Sequence, residues 1–220
     1  RQMGMGSLAA YLPFANSNQM VMDIGLREVK RQVREQPLIF GLHATDPMID
    51  LEKYIDKIQQ AGFDGINNYP TIGLIDGEYR RLLENDGINF EKEVEAIRIA
   101  SEKGMFTVAF VFNEYQTQQM LEAGADVICV HLGLTAGGIM GAKKVLSLEN
   151  ANQLTKRLFD VCDKSSKRVM KMIYGGPVLT PVDVAYMQQH TGLDGYIGGS
   201  SFERTPTEKA IVDITHAFKE

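Results

Sequence analysis

Six apolar runs of strand length recur along this chain, and amphipathic stretches of helix length separate them. The runs fall at 38–43, 64–68, 105–112, 126–132, 169–174 and 194–197. Helices are expected at about 18–36, 47–61, 90–103, 114–123, 148–165, 181–190 and 207–219. Parallel strands need a crossover between them, and strands covered on both faces read as continuous apolar runs, so this alternation predicts a parallel α/β fold. Local chemistry agrees. Asp46 before Pro47, Asn113 before Glu114 and Thr180 before Pro181 read as helix caps. Gly62-Phe63-Asp64, Gly124-Ala125-Asp126 and Gly192-Leu193-Asp194 each end a helix on glycine and turn into a strand.

A closed barrel of βα units needs eight strands. The expectation is therefore a (β/α)8 TIM barrel whose first two βα units precede Arg1, so that the visible strands are the third to the eighth. An open flavodoxin-like sheet of five or six strands is the competing architecture. Residues 1–220 are read as one domain, which suits their 44% hydrophobic and 23% charged content.

Two double-glycine turns follow the last two strands, Gly175-Gly176-Pro177 and Gly198-Gly199-Ser200-Ser201. Phosphate sites of barrels are commonly built there, because glycine lets backbone amides approach an anion closely and a helix N-terminus adds the positive end of its dipole. Either turn can equally be an ordinary connection; as a pair they predict a phosphorylated ligand.

The net charge of −5, with lysines and arginines scattered among acids, gives no basic footprint for nucleic acid. No stretch approaches the ~20 apolar residues of a membrane span. Cys129 and Cys162 both sit in apolar patterns, which predicts buried thiols in a reducing, cytoplasmic setting. Met20, Met22, Met170 and Met172 are read as gap-filling core. The stripe Val21, Met22, Ile24, Val29 and Val33 is read as barrel core as well.

The chain resembles the phosphoenolpyruvate hydrolase-like TIM-barrel family along essentially its whole length. The resemblance rests on Met5-Gly6-Ser7-Leu8 with Asn18, on Thr45-Asp46-Pro47, on the run from Gly65 through Asn67-Asn68-Tyr69-Pro70 to Gly77, on Glu122-Ala123-Gly124-Ala125-Asp126, on His131-Leu132-Gly133-Leu134-Thr135, and on the run from Gly198 to Glu208. It implies a barrel that acts on or senses a small phosphorylated carboxylate. It also implies two further βα units at the start, and fusion to transcription-activator or nucleotide-binding modules. The acidic metal-binding run of the phosphoenolpyruvate mutase and isocitrate lyase barrels has no counterpart after the early strands here.

Barrel chemistry sits at strand C-terminal ends. His131 ends its strand, and a near-neutral imidazole there is the expected acid/base group. Glu114 and Asp46 follow two other strands and are the candidate Mg2+ ligands, with helix capping and dipole complementation as their ordinary roles. Asn68 is expected to face the mouth rather than Asn67 and to bind a carboxylate or enolate oxygen. His43 reads as pocket wall. Tyr174, Gly175, Gly176, Gly198, Gly199, Ser200 and Ser201 are the expected ligand-binding residues. Arg204, beside Glu203, is expected either to clamp the anion or to form an Arg–Glu structural pair across the barrel mouth. The loop 133–147, with Gly137, Gly138, Gly141, Lys143 and Lys144, reads as a lid. His190 and His216 read as structural.

The expected function is thus a phosphoenolpyruvate hydrolase-like enzyme, with Mg2+ the expected cofactor, or alternatively a metabolite-sensing domain without turnover. The expected partners are a small phosphorylated metabolite and either further copies of the chain or a fused second domain, without direct contact to nucleic acid or membrane.

Overall fold

The computed structural model describes residues 15–219. The stretch Met5 to Leu8 used above lies outside them. The elements run α1 (Ser17–Ile24), a π turn (Gly25–Val29), α2 (Lys30–Gln32), β1 (Ile39–Gly41), α3 (Leu51–Gln60), β2 (Gly65–Asn67), α4 (Gly77–Asn85), α5 (Phe90–Glu102) and β3 (Phe106–Val111). They continue with α6 (Glu114–Glu122), β4 (Val127–His131), α7 (Leu148–Asp163), β5 (Met170–Tyr174), α8 (Pro181–Thr191), β6 (Gly195–Ile197) and α9 (Thr205–Ala217). All six expected strands form, and they pair in parallel in sequence order from β1 to β6. The sheet curls into a half-barrel, with β1 and β6 as its edges among the described residues.

Alternation divides each strand between two environments. Phe40, Ile66, Ala109, Ile128, Val130 and Ile173 face the helices and join one large core with Ile55, Ile58, Ile97, Met120, Leu158 and Phe159. Burying each large aliphatic or aromatic side chain contributes about 1.5–3 kcal/mol. The concave face carries a smaller cluster, Val108, Phe110, Val127, Cys129 and Tyr174, flanked by Ile39, Tyr69, Met172 and Ile197. Both cysteines are buried free thiols.

The three Gly-x-Asp turns work as a repeated device. Gly62, Gly124 and Gly192 take φ of +79°, +89° and +64°, conformations that favour glycine. The aspartate two residues later binds the start of the preceding strand twice. The amides of Asp64, Asp126 and Asp194 donate to Leu38, Thr107 and Lys171 carbonyls. Their carboxylates accept the amides of those same three residues at 2.7, 3.0 and 2.8 Å. Each device therefore fixes the register of one strand pair where the ladder begins.

Several expectations need correction. Asp46 does not cap a helix: α3 begins at Leu51, and Asp50 accepts the Lys53 amide as its cap. Helix α4 was not foreseen, although the Glu78–Arg81 and Arg80–Glu84 pairs at helical spacing supply its signal. Met20, Ile24 and Met170 are exposed rather than core. Asn113 and Thr180 do cap α6 and α8, the latter in a reciprocal capping box with Asp183. No helix among the described residues is long and apolar enough to cross a membrane.

Candidate functional site

Strand β4 alternates Val127, Cys129 and His131 toward the concave side, so His131 arrives at the C-terminal rim with its ring inward. It is 2% exposed. Four rings surround it. Tyr69 lies parallel, Phe112 is stacked with centroids 5.0 Å apart, Tyr174 is tilted at 4.8 Å, and Phe110 is edge-on at 5.7 Å. Nδ1 accepts the Gly133 amide at 3.1 Å, which puts the proton of the neutral ring on Nε2. Nε2 is buried and has no hydrogen-bond partner among the described residues. Burial pushes the imidazole pKa down to about 3. The expectation of a near-neutral, titrating histidine is thereby corrected: this ring is a fixed, uncharged donor at neutral pH.

Asn68 is also placed otherwise than expected. It follows Ile66 on the helix side, is 1% exposed, and acts as a strand staple. Its Nδ2 donates to Glu93 Oε2 at 2.6 Å and to the Phe110 carbonyl at 3.1 Å, while its Oδ1 accepts the Phe110 amide at 2.7 Å. Those bonds use both its N–H donors and engage its oxygen as well. Asn67 instead takes the concave side, in register with Gly41 and Val108, and its Oδ1 accepts the Tyr69 amide. The two-residue period was available in the sequence; the position of the rim was not.

Glu93 on α5 went unnoticed in the sequence because it sits in an ordinary amphipathic pattern. It is 1% exposed. Oε1 accepts the Ile72 amide at 2.7 Å, and Thr71 adds a side-chain hydrogen bond. Burial raises its pKa to about 7 against those hydrogen bonds and the field of Arg80.

The glycine turns differ from each other. Gly175 and Gly176 have φ of +75° and +57°, and a Cβ on them would lie 2.4 Å from the Gly133 carbonyl oxygen and 2.5 Å from that of Leu132. The Gly176 amide donates to Gly133. This turn is therefore closed on the β4 loop by packing. After β6, Gly199 and Ser200 carbonyls accept from residues 202–205, while the amides of Gly199, Ser200 and Ser201 serve none of the turn hydrogen bonds among the described residues. Ser200 is buried, and Ser201 Oγ meets the Tyr196 hydroxyl at 2.9 Å. Tyr174 packs against Phe110 and His131.

Asp46 and Glu114 do not act as a pair. Asp46 Oδ2 accepts from Asn16 and Asn18 at 2.6 and 3.0 Å, and Oδ1 accepts the Met48 amide; with His43 nearby, these contacts hold its pKa low despite burial. Asn18 also clasps both backbone groups of His43, whose own pKa is lowered by burial. Glu114 is exposed and paired with Arg157 at 2.9 Å. The described residues contain no group of three His, Cys, Asp or Glu able to hold a metal.

Arg204 pairs with Glu208 at 3.0 Å, an Arg–Glu structural pair. Its guanidinium also donates to the Gly137 and Ala136 carbonyls, and Glu208 accepts the Ile139 amide. The side chain expected to clamp an anion instead ties the 133–147 loop to α9. Lys143 and Lys144 lie in that loop's exposed far part.

Comparison with known proteins places this geometry. The model of the family described as phosphoenolpyruvate hydrolase-like matches residues 1–220. The chain is 37% identical over 220 residues to the ToMV susceptible protein tm-1(GCR26) of Solanum lycopersicum, covering 100% of this chain and 29% of that protein. It is 35% identical over 219 residues to y4pA of Sinorhizobium fredii, provisionally described as a transcriptional regulatory protein, covering 100% of this chain and 36% of that one. The chain thus spans about a third of the length of these relatives. Among solved structures, 2,3-dimethylmalate lyase, a PEP mutase/isocitrate lyase superfamily member, aligns with a TM-score of 0.52 at 10% identity over 91% of this chain and 70% of its own, a likeness of fold. The chain belongs to the phosphoenolpyruvate hydrolase-like family.

Proposed function

We propose that this chain is the barrel part of an enzyme that binds a small phosphorylated carboxylate at the rim of strand C-termini. One observation carries the reading: His131 is a neutral imidazole with Nδ1 held by Gly133 and a buried Nε2 that no group among the described residues satisfies. Such a group donates a hydrogen bond to an oxygen gaining negative charge, and does so more strongly where water is excluded. Hydrolysis of an enol phosphate breaks the P–O bond with water, releasing inorganic phosphate and an enol. The Nε2–H would stabilise charge on the departing enol oxygen without transferring its own proton.

The Gly199 to Ser201 amides support a phosphate seat after β6, whereas the Gly175-Gly176 turn is occupied by the β4 loop. Asp46 and Glu114 do not fit a Mg2+ site, since their oxygens already serve other partners. No step here passes through a metal.

The test is phosphorus NMR of phosphoenolpyruvate with the protein, with and without Mg2+, followed over hours beside a protein-free control. Growth of an inorganic phosphate signal that is lost in His131→Gln supports the reading. A sensing role, favoured by the provisional description of the Sinorhizobium relative, would instead give saturable line broadening without product. An unchanged spectrum rejects this ligand.

We also propose that two further βα units complete the sheet to eight strands. The edges that β1 and β6 present among the described residues support this, as do the exposed concave Phe106 and Met170 and the absence of any buried residue on α9. In a longer polypeptide carrying such units, the β1 and β6 amides would gain hydrogen-exchange protection. The buried thiols are consistent with a cytoplasmic setting.

A further inference from the structure

Tyr69, the ring parallel to His131, sits between two segments that one buried carboxylate holds. Glu93 takes Asn68 on the N-terminal side of Tyr69 and the Ile72 amide and Thr71 on its C-terminal side. Asn68 in turn grips both backbone groups of Phe110, whose ring is edge-on to His131. Two of the four rings around the imidazole are thus set from the helix layer through Glu93. Arg80 of α4 is the charged group whose field reaches the carboxylate, and the other facing groups are Asn68, Thr71 and the Ile72 amide. Strand β3 reaches it through Asn68 alone among these contacts, with the neutral Phe110 backbone.

We propose that Glu93 is a positioning residue that couples its own proton uptake to the seating of Tyr69 and Phe110 around His131, so that the site responds to pH while the imidazole stays neutral. This rests on the reading of His131 as a neutral donor. The Asn68 side-chain N–H and the Ile72 amide can only donate to the carboxylate, whereas the Thr71 hydroxyl can also accept, so a proton on either oxygen rearranges the hydrogen bonds around it. Proton uptake must then either turn the Thr71 hydroxyl from donor to acceptor or break one of the other two contacts, and all three lie in the 68–72 segment that carries Tyr69. The raised value near 7 puts this change within the neutral range. His131, pushed down to about 3, does not titrate there.

The experiment is NMR of the protein with isotope-labelled histidine, read from about pH 5 to about pH 9. The His131 signals are assigned by their persistence in His43→Gln, His190→Gln and His216→Gln variants. The expected result is a shift of the His131 ring carbons with a midpoint near 7, small beside that of imidazolium formation, and abolished in Glu93→Gln. Thr71→Val, which removes a hydrogen bond to the carboxylate, should move the midpoint upward, and it decides the matter if Glu93→Gln does not fold. Ring signals flat over this range, a midpoint retained in Glu93→Gln or a midpoint unmoved in Thr71→Val would overturn the coupling. The ring nitrogens separate the two readings. Imidazolium shifts near neutrality sink the neutral-donor reading together with this one, whereas flat neutral-ring signals sink only the role of Glu93.

Discussion

The ring of Tyr69 lies parallel to that of His131, with an interplanar angle of 5° and centroids 6.5 Å apart. Tyr69 comes from the loop after β2 and His131 from the end of β4, so this stack spans β3 and joins two rim segments. It gives the candidate site its shape on one side, and Phe112, Tyr174 and Phe110 close the others.

Because the folded imidazole value of about 3 lies below the ordinary 6.5, the unfolded chain binds a proton that the folded chain refuses. Stability should therefore be unaffected by His131 above the unfolded value and fall as pH drops from 6.5 toward 3. The slope amounts to at most about 1.4 kcal/mol per pH unit. Urea midpoints at a series of pH values for wild type and His131→Gln should differ in this acid slope, and equal slopes would contradict it.

Glu93 acts in the opposite sense. Its folded value near 7 exceeds the ordinary 4.5, so the folded state keeps a proton that the unfolded chain loses. Its contribution is complete below the unfolded value and declines as pH rises through the folded one. Glu93→Gln should flatten that decline. It should also cost about 1–3 kcal/mol at acid pH, because a side-chain amide meets the Ile72 and Asn68 donors. Thermal unfolding at two pH values checks both parts.

The carboxylate of Asp126 accepts the Thr107 amide and hydroxyl, both at 3.0 Å, and Thr107 is fully buried. Asp126→Ala removes the acceptor of both, leaving the Thr107 hydroxyl only the Asp126 amide as partner, and should destabilise by about 1–3 kcal/mol in chemical denaturation. Asp64→Ala, whose partner Leu38 is only partly buried, should cost less.

Gly176→Ala and Gly77→Ala both put a side chain at positive φ, which costs roughly 1–2 kcal/mol. At Gly77 nothing lies within 4 Å of the added carbon, whereas at Gly176 the Leu132 carbonyl oxygen stands 2.5 Å away. The second substitution should therefore be markedly more damaging, and equal denaturant midpoints would refute the packing role given to that turn.

Arg204→Ala removes the hold on Ala136 and Gly137. Trypsin should then cut faster after Lys143 and Lys144, with the remaining tryptic sites unaffected. Unchanged kinetics would mean that the loop is held by other contacts.

The strands were legible because each is a short apolar run between helical patterns, and the Gly-x-Asp starts because glycine ends a helix there. What the aspartates do was not, since their partners lie on a strand roughly 20 residues away. The site was legible only as rim positions. His131 was found by its place at a strand end, yet its charge state depends on four rings brought in from other strands and loops. Asn68 is placed otherwise than expected, and Arg204 is left open by the sequence, for a related reason: a polar side chain beside a strand end or glycine turn looks the same in sequence whether it faces a ligand or the backbone of a neighbour. Glu93 gave no signal because burial of a carboxylate on a helix is decided by what packs over it.

The most direct measurement is titration of phosphoenolpyruvate into protein carrying nitrogen-15 histidine, following the His131 Nε2 resonance. A saturable change at Nε2 is expected, with the ring neutral throughout, while the His43, His190 and His216 resonances hold still. An Nε2 resonance unmoved at saturating ligand, or one that moves only as the ring becomes charged, would contradict it.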